Sequence, residues 1–141
     1  MDSDCIFCQI VAGDIPANVV AETDDAIAFL DANPLAPGHT LVIPKEHYHR
    51  LNDVPDDVAA EVLGLVHEVV PAVEAAVDAP ATTVAFNNGE EAGQEVPHVH
   101  GHIVPRSGDD GQRPIHALFE DRPGVGDEEM NEIAAAIQAE R

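Results

Sequence analysis

From Pro55 to about Asp78 the apolar residues Val58, Val62, Leu65, Val66, Val69, Val73 and Val77 recur at steps of three and four, the spacing of one face of a helix. Pro71 falls inside this run and predicts a kink rather than a break, because the periodicity resumes on the same face. A shorter helix is expected over residues 4 to 12, with Ile6, Phe7, Ile10 and Val11 inward and Gly13 and Pro16 closing it. A last helix is expected from about Asp127, with Met130, Ile133, Ala134 and Ile137 inward. Between these lie strand-like runs at 18 to 22 and 26 to 31, joined by a Thr23-Asp24-Asp25 turn, then at 39 to 44, at 82 to 87, and through 96 to 106. Strands linked by short turns, with one long helix inserted, predict an α+β domain on a mainly antiparallel sheet of about five strands. Residues 107 to 126, rich in Gly, Pro and charge, carry little pattern. The 141 residues are enough for one ordinary core. The expectation is therefore a single domain over 1–141, its core at about 4–106 and its tail and final helix at 107–141.

The last of the strand-like runs, Val96-Pro97-His98-Val99-His100-Gly101-His102-Ile103-Val104-Pro105-Arg106, places histidines at alternate positions. In a strand, alternate side chains share a face, so the three imidazoles would line one side while Val99, Gly101 and Ile103 enter the core. A strand seldom gives three alternate positions to a residue that titrates near neutrality unless chemistry is involved. Two chemistries fit: a metal site built from imidazoles, or a nucleophilic histidine with two polar helpers.

Charge narrows the partners. The chain has 27 acidic residues against 6 basic ones, and Lys45 is its one lysine. Nucleic acid and anionic membrane surfaces are excluded as partners, since both need a basic footprint. At a formal charge of -21 self-repulsion loosens the fold in dilute buffer, and molar salt screens it; the composition resembles that of proteins from extreme halophiles. No apolar run approaches the roughly 20 residues needed to span a bilayer, and the first ten residues lack a basic leader, so a cytoplasmic location is expected. Cys5 and Cys8 are too few for a disulfide framework. Cys-x-x-Cys in a reducing compartment commonly gives two thiolates to zinc, which then needs two further ligands; a redox dithiol is the rival, without a thioredoxin-like context around it.

His98-Val99-His100-Gly101-His102-Ile103-Val104 resembles the signature of the histidine triad (HIT) nucleotide hydrolases and transferases. Phe29-Leu30-Asp31, Pro37 to Lys45, Asn87-Asn88-Gly89 and Ala92-Gly93-Gln94 resemble the family's other blocks in the family's order, so the likeness covers most of residues 5 to 106. The resemblance implies a HIT-like fold and cleavage at the α-phosphate of nucleoside phosphoramidates or adenylated substrates, with a purine nucleotide bound. His100 is implied as the nucleophile that forms a nucleotidyl-histidine, with His102 and His39 contacting the phosphate or passing a proton to the leaving group. A neutral imidazole suits that task, because its pKa of about 6.5 leaves a lone pair at pH 7. Asn87, Gly93 and Gln94 are implied at the phosphate and Asp31 at the ribose hydroxyls, with Phe7, Ile10 and Phe29 lining an apolar slot for the base.

The branch of the family that opens with Cys-x-x-Cys resembles this chain most, and it implies a structural zinc on Cys5, Cys8, His47 and His98, with His49 the alternative to His47. The chemistry itself then needs no metal. The family also implies a homodimer through the long helix and an adjoining strand, which the stripe of residues 58 to 77 permits. Two departures stand out: Gly101 replaces a larger apolar residue, and Glu95 replaces a hydroxyl residue near the phosphate. Other readings remain open from sequence: a dinucleoside polyphosphate hydrolase, a catalytically idle nucleotide-binding module, and a metalloenzyme using all three histidines.

Overall fold

The computed structural model describes residues 4–141, so Met1 to Ser3 of the expected domain lie outside it. It falls into two compact units, one running to Asp110 and one over Gly111–Arg141. In the first, five strands, β1 (Val19–Glu22), β2 (Ala26–Leu30), β3 (Thr40–Pro44), β4 (Ala81–Phe86) and β5 (Gly101–Arg106), form one sheet in the order β1-β2-β3-β5-β4, every pair antiparallel. This is the α+β architecture expected from the strand and helix periodicities.

Each face of the sheet carries its own core, set by side-chain parity along the strands. Ala26, Ala28, Val42 and Ile103 face α2 (Asp56–Val77), which buries Val58, Val62, Leu65, Val66, Val69 and Val73 against them. Ile27, Phe29, Leu41 and Ile43 face the other way and pack with Phe7, Cys5 and Cys8. The helix α1 (Ile6–Ala12) starts with Cys5 as its cap, the thiol accepting from the Cys8 N–H, and ends at Gly13 in the left-handed conformation. Ile6 does not turn inward as expected: it is 47% exposed, because α1 buries only the Phe7–Cys8 side.

Pro71 is accommodated within one continuous helix. The α2 stripe from Val58 to Val73 lies against its own sheet, while Val77 and Leu63 on α2 and Val84 on the edge strand β4 stay exposed. In the second unit α3 spans Asp127–Glu140 as expected, but Met130, Ile133, Ala134 and Ile137 are exposed rather than inward. The apolar spacing that makes a helix amphipathic does not by itself supply a surface to cover it.

The histidine stretch departs furthest from expectation. Only Gly101–Arg106 is strand; His98 and His100 lie ahead of it. The cause is where the backbone donors go: the His98 N–H bonds the Val96 carbonyl at 2.8 Å and the Val99 N–H bonds the Tyr48 carbonyl at 2.8 Å, so the chain peels off the sheet before Gly101. At Gly101 the missing side chain is explained. Its cross-strand partner Phe86 lays its ring over the glycine, so that a Cβ there would lie 2.7 Å from Phe86 Cζ. The aromatic ring fills the volume that a larger residue at 101 would occupy. Gly101→Leu is expected to destabilise the fold by about 1–3 kcal/mol through overpacking. Combining it with Phe86→Val should cost less than the sum of the two single changes, and additive denaturation midpoints would refute the pairing.

Candidate active site and metal centre

Side-chain parity brings the site together on the α1 face. His39 precedes Thr40 and shares a face with Leu41 and Ile43; His102 is registered opposite Leu41. The two imidazoles therefore meet, His39 Nε2 lying 3.0 Å from His102 Nδ1. The His100 ring stands 5.0 Å from that of His102 by centroid, and Phe7 of α1 meets His100 edge-on at 5.0 Å and His98 at 5.8 Å. Although His98 and His100 are outside the strand, the three triad rings still gather on one side.

Hydrogen bonds assign the ring nitrogens. His100 Nδ1 is 2.8 Å from the His98 carbonyl, which can only accept, so Nδ1 carries the proton and Nε2 keeps its lone pair when the ring is neutral. His98 Nε2 likewise donates to the Pro44 carbonyl at 2.8 Å, which leaves Nδ1 as its free acceptor. That Nδ1 faces Cys5 Sγ at 3.3 Å and Cys8 Sγ at 3.5 Å, and Cys8 Sγ is 3.4 Å from His47 Nδ1. All four ligand atoms lie within 4.8 Å of one another. Around a tetrahedral zinc with ordinary bond lengths, sulfur and nitrogen ligands stand about 3.5 Å apart. The donor set, its spacing and the carbonyl that fixes the His98 tautomer all fit that ion. His49 is exposed and stands outside the cluster.

Burial keeps the imidazoles neutral. It lowers the pKa of His39 and of His100, and with the nearby His100 and His39 charges it brings His102 to about 4; burial also brings His98 to about 4. Burial raises the Cys5 thiol.

The expected nucleotide contacts separate into two groups. Asp31 is half-buried, one carboxylate oxygen accepting from the Asn33 N–H at 2.9 Å and the other 3.7 Å from His39 Nδ1. Phe7 and Phe29 are buried edge-to-face at 5.6 Å, with Ile10 half-buried beside them. Gln94, by contrast, bonds within the protein. Its Oε1 accepts from the Gly89 N–H, and its Nε2 donates to the carbonyls of His49 and Val96. Gly93 has φ +102 and its own N–H goes to the Glu90 carbonyl, so it turns the loop rather than presenting that amide to an anion. Asn87 is exposed, its amide against Gly93. Arg106 lies with Asp110 and Thr83 at the end of β5.

Sequence reasoning missed two groups that hold these rings, the Pro44 carbonyl and the Leu35 N–H that donates to His39 Nδ1 at 3.0 Å, and gave no role to Asn88, which accepts from the Leu51 N–H and donates to Asn52. The backbone groups leave no trace in side-chain identity.

Comparison with known proteins agrees with this geometry. Residues 12–109 match the model of the HIT domain. The chain belongs to the HIT family. Among its HIT relatives, the adenosine 5'-monophosphoramidase of Schizosaccharomyces pombe is 47% identical over 103 residues, 72% of this chain and 74% of that protein. A solved structure from Streptococcus mutans superposes with a TM-score of 0.88 at 37% identity, covering 99% of this chain and 87% of its own. A zinc-bound histidine triad family protein from Mycobacterium smegmatis superposes with a TM-score of 0.72 at 34% identity, covering 96% and 94%. No helix among the described residues is long and apolar enough to cross a membrane.

The lowered pKa of His102 has a signed consequence. The unfolded ring takes a proton below about 6.5, whereas the folded ring resists until about 4, so this contribution to stability is complete above pH 6.5 and lost as pH falls toward 4. His102→Asn should flatten the fall of unfolding free energy across that window in denaturant titrations at fixed salt; parallel curves for the two proteins would exclude the assignment.

Proposed function

We propose that this HIT protein is a hydrolase of nucleoside phosphoramidates or adenylated substrates that works through a nucleotidyl-histidine on His100. The observation that carries the reading is the bond from His100 Nδ1–H to the His98 carbonyl, which orients a neutral ring with its Nε2 lone pair available and no separate base required. His100 Nε2 attacks the α-phosphorus, the bond to the leaving group breaks with its electron pair going to the departing atom, and that atom is protonated. Water then attacks the same phosphorus, releasing the nucleoside monophosphate and restoring His100. His102 and His39 contact the phosphate or pass a proton to the leaving group, Asp31 receives the ribose hydroxyls, and Phe7, Ile10 and Phe29 bound the slot for a purine base. The relative from Schizosaccharomyces pombe, named an adenosine 5'-monophosphoramidase, supports this reading.

Cys5, Cys8, His47 and His98 would hold zinc, which supplies structural cross-linking of α1 to the segment carrying the nucleophile. A homodimer and a cytoplasmic, high-salt setting complete the reading, the last from the charge of -21. An anionic substrate approaching so acidic a chain should bind better in multimolar than in dilute salt.

Two measurements test these roles. A radiolabelled adenosine phosphoramidate, quenched during turnover in high salt, should leave label on the native chain and none on His100→Ala, whose kcat should fall by about a thousandfold or more; equal labelling removes the mechanism. Metal analysis of purified protein should find one zinc per chain, lost in Cys5→Ser together with thermal stability; undiminished zinc in that variant refutes the ligand set.

A further inference from the structure

Asp31, His39 and His102 place ligand atoms within 4.8 Å of one another, yet the hydrogen bonds among them run in one direction only. The Leu35 N–H can only donate, and it reaches His39 Nδ1 at 3.0 Å. Nδ1 must therefore hold a lone pair, so the neutral ring carries its proton on Nε2. That proton faces His102 Nδ1 at 3.0 Å, which must accept it, and the neutral His102 ring then carries its own proton on Nε2. Burial lowers the pKa of both rings, in keeping with a neutral pair. The same polarity makes the trio a poor metal site: a cation on His39 Nε2 would force a proton onto Nδ1, directly against the Leu35 N–H.

We propose that the backbone N–H of Leu35 is a positioning group for the reaction, fixing the His39 tautomer and, through it, presenting an N–H at His102 Nε2 to the phosphate or the leaving group. The proposal rests on the function assigned above. It gives a purpose to the Asn33-Pro34-Leu35-Ala36-Pro37-Gly38 loop, whose Asn33 N–H is also held by Asp31 and whose Ala36 carbonyl accepts from the His39 N–H at 3.0 Å. The Leu35 side chain is 77% exposed and takes no part, so the contribution belongs to one main-chain donor.

Deleting that donor alone makes the test. Leu35 is replaced by its α-hydroxy analogue through nonsense suppression, which substitutes an ester oxygen for the N–H and keeps the side chain; Leu35→Ala is the control that keeps the N–H. Nitrogen-15 NMR of the substrate-free protein, with resonances assigned from His39→Asn and His102→Asn, should show both rings protonated on Nε2 in the native chain and in Leu35→Ala. In the ester protein His39 should move to the Nδ1-protonated form, donating toward the Asp31 oxygen now 3.7 Å away, and His102 should follow. Phosphoramidate turnover should then fall about tenfold or more, the order expected for losing a positioned donor, with AMP affinity held within about twofold. A native His39 protonated on Nδ1, an ester protein with native tautomers, or an altered tautomer with native turnover would each overturn the proposal. Because the tautomers are read without substrate, a native chain with the expected tautomers and no hydrolysis would instead count against the proposed function.

Discussion

His98 is held from three directions, and the arrangement of the site depends on it. Its Nε2–H is tied to the carbonyl that ends β3, its Nδ1 faces two thiols, and its own carbonyl receives the proton of His100. The first contact sets the tautomer, the second anchors the ring to α1, and the third orients the neighbouring imidazole. One residue thus joins a candidate metal centre to a candidate nucleophile through its side chain on one hand and its main chain on the other.

The sheet separates support from chemistry. The α2 face is a close-packed aliphatic layer with no titratable group in its buried cluster, whereas the α1 face mixes Phe7, Phe29, Leu41 and Ile43 with cysteines and imidazoles. Apolar walls are what lower the imidazole pKa values, so the same packing that holds α1 in place keeps the rings neutral near pH 7. Gly101 and Phe86 show the boundary between the layers: the strand gives up a side chain on the α2 face where an aromatic neighbour already fills the space.

Much of this was legible from residue spacing. The α2 stripe, the hairpin of β1 and β2, and the apolar β3 follow from periodicities that burial enforces along a regular element. Cys-x-x-Cys suggests a zinc site by its spacing, its partners His47 and His98 follow from the family resemblance, and alternate histidines point to a shared side. What could not be read was where main-chain donors go. The strand was expected to begin before His98, and it begins at Gly101 because two amides leave the ladder for Val96 and Tyr48. The family resemblance puts Gln94 at the phosphate, whereas in the structure three main-chain groups claim its amide. The apolar face of α3 is exposed although its spacing predicts burial, because spacing reports which side is oily and is silent on what lies opposite.

The loop from Asn88 to Gln94 carries a consequence for a chain of 27 carboxylates. It is pinned by the Gln94 amide to three main-chain groups, and by the Asn88 amide to the Leu51 N–H and to Asn52. These amide joints hold no formal charge and give dissolved ions little to screen, and the Arg50 guanidinium adds one charged contact, to the Asn88 carbonyl at 3.4 Å. Around this loop the protein has riveted its scaffold with neutral fasteners while leaving its carboxylates, Glu90, Glu91 and Glu95, on the outside. In this loop the shape rests mainly on uncharged amides, while the carboxylates around it face the ionic medium.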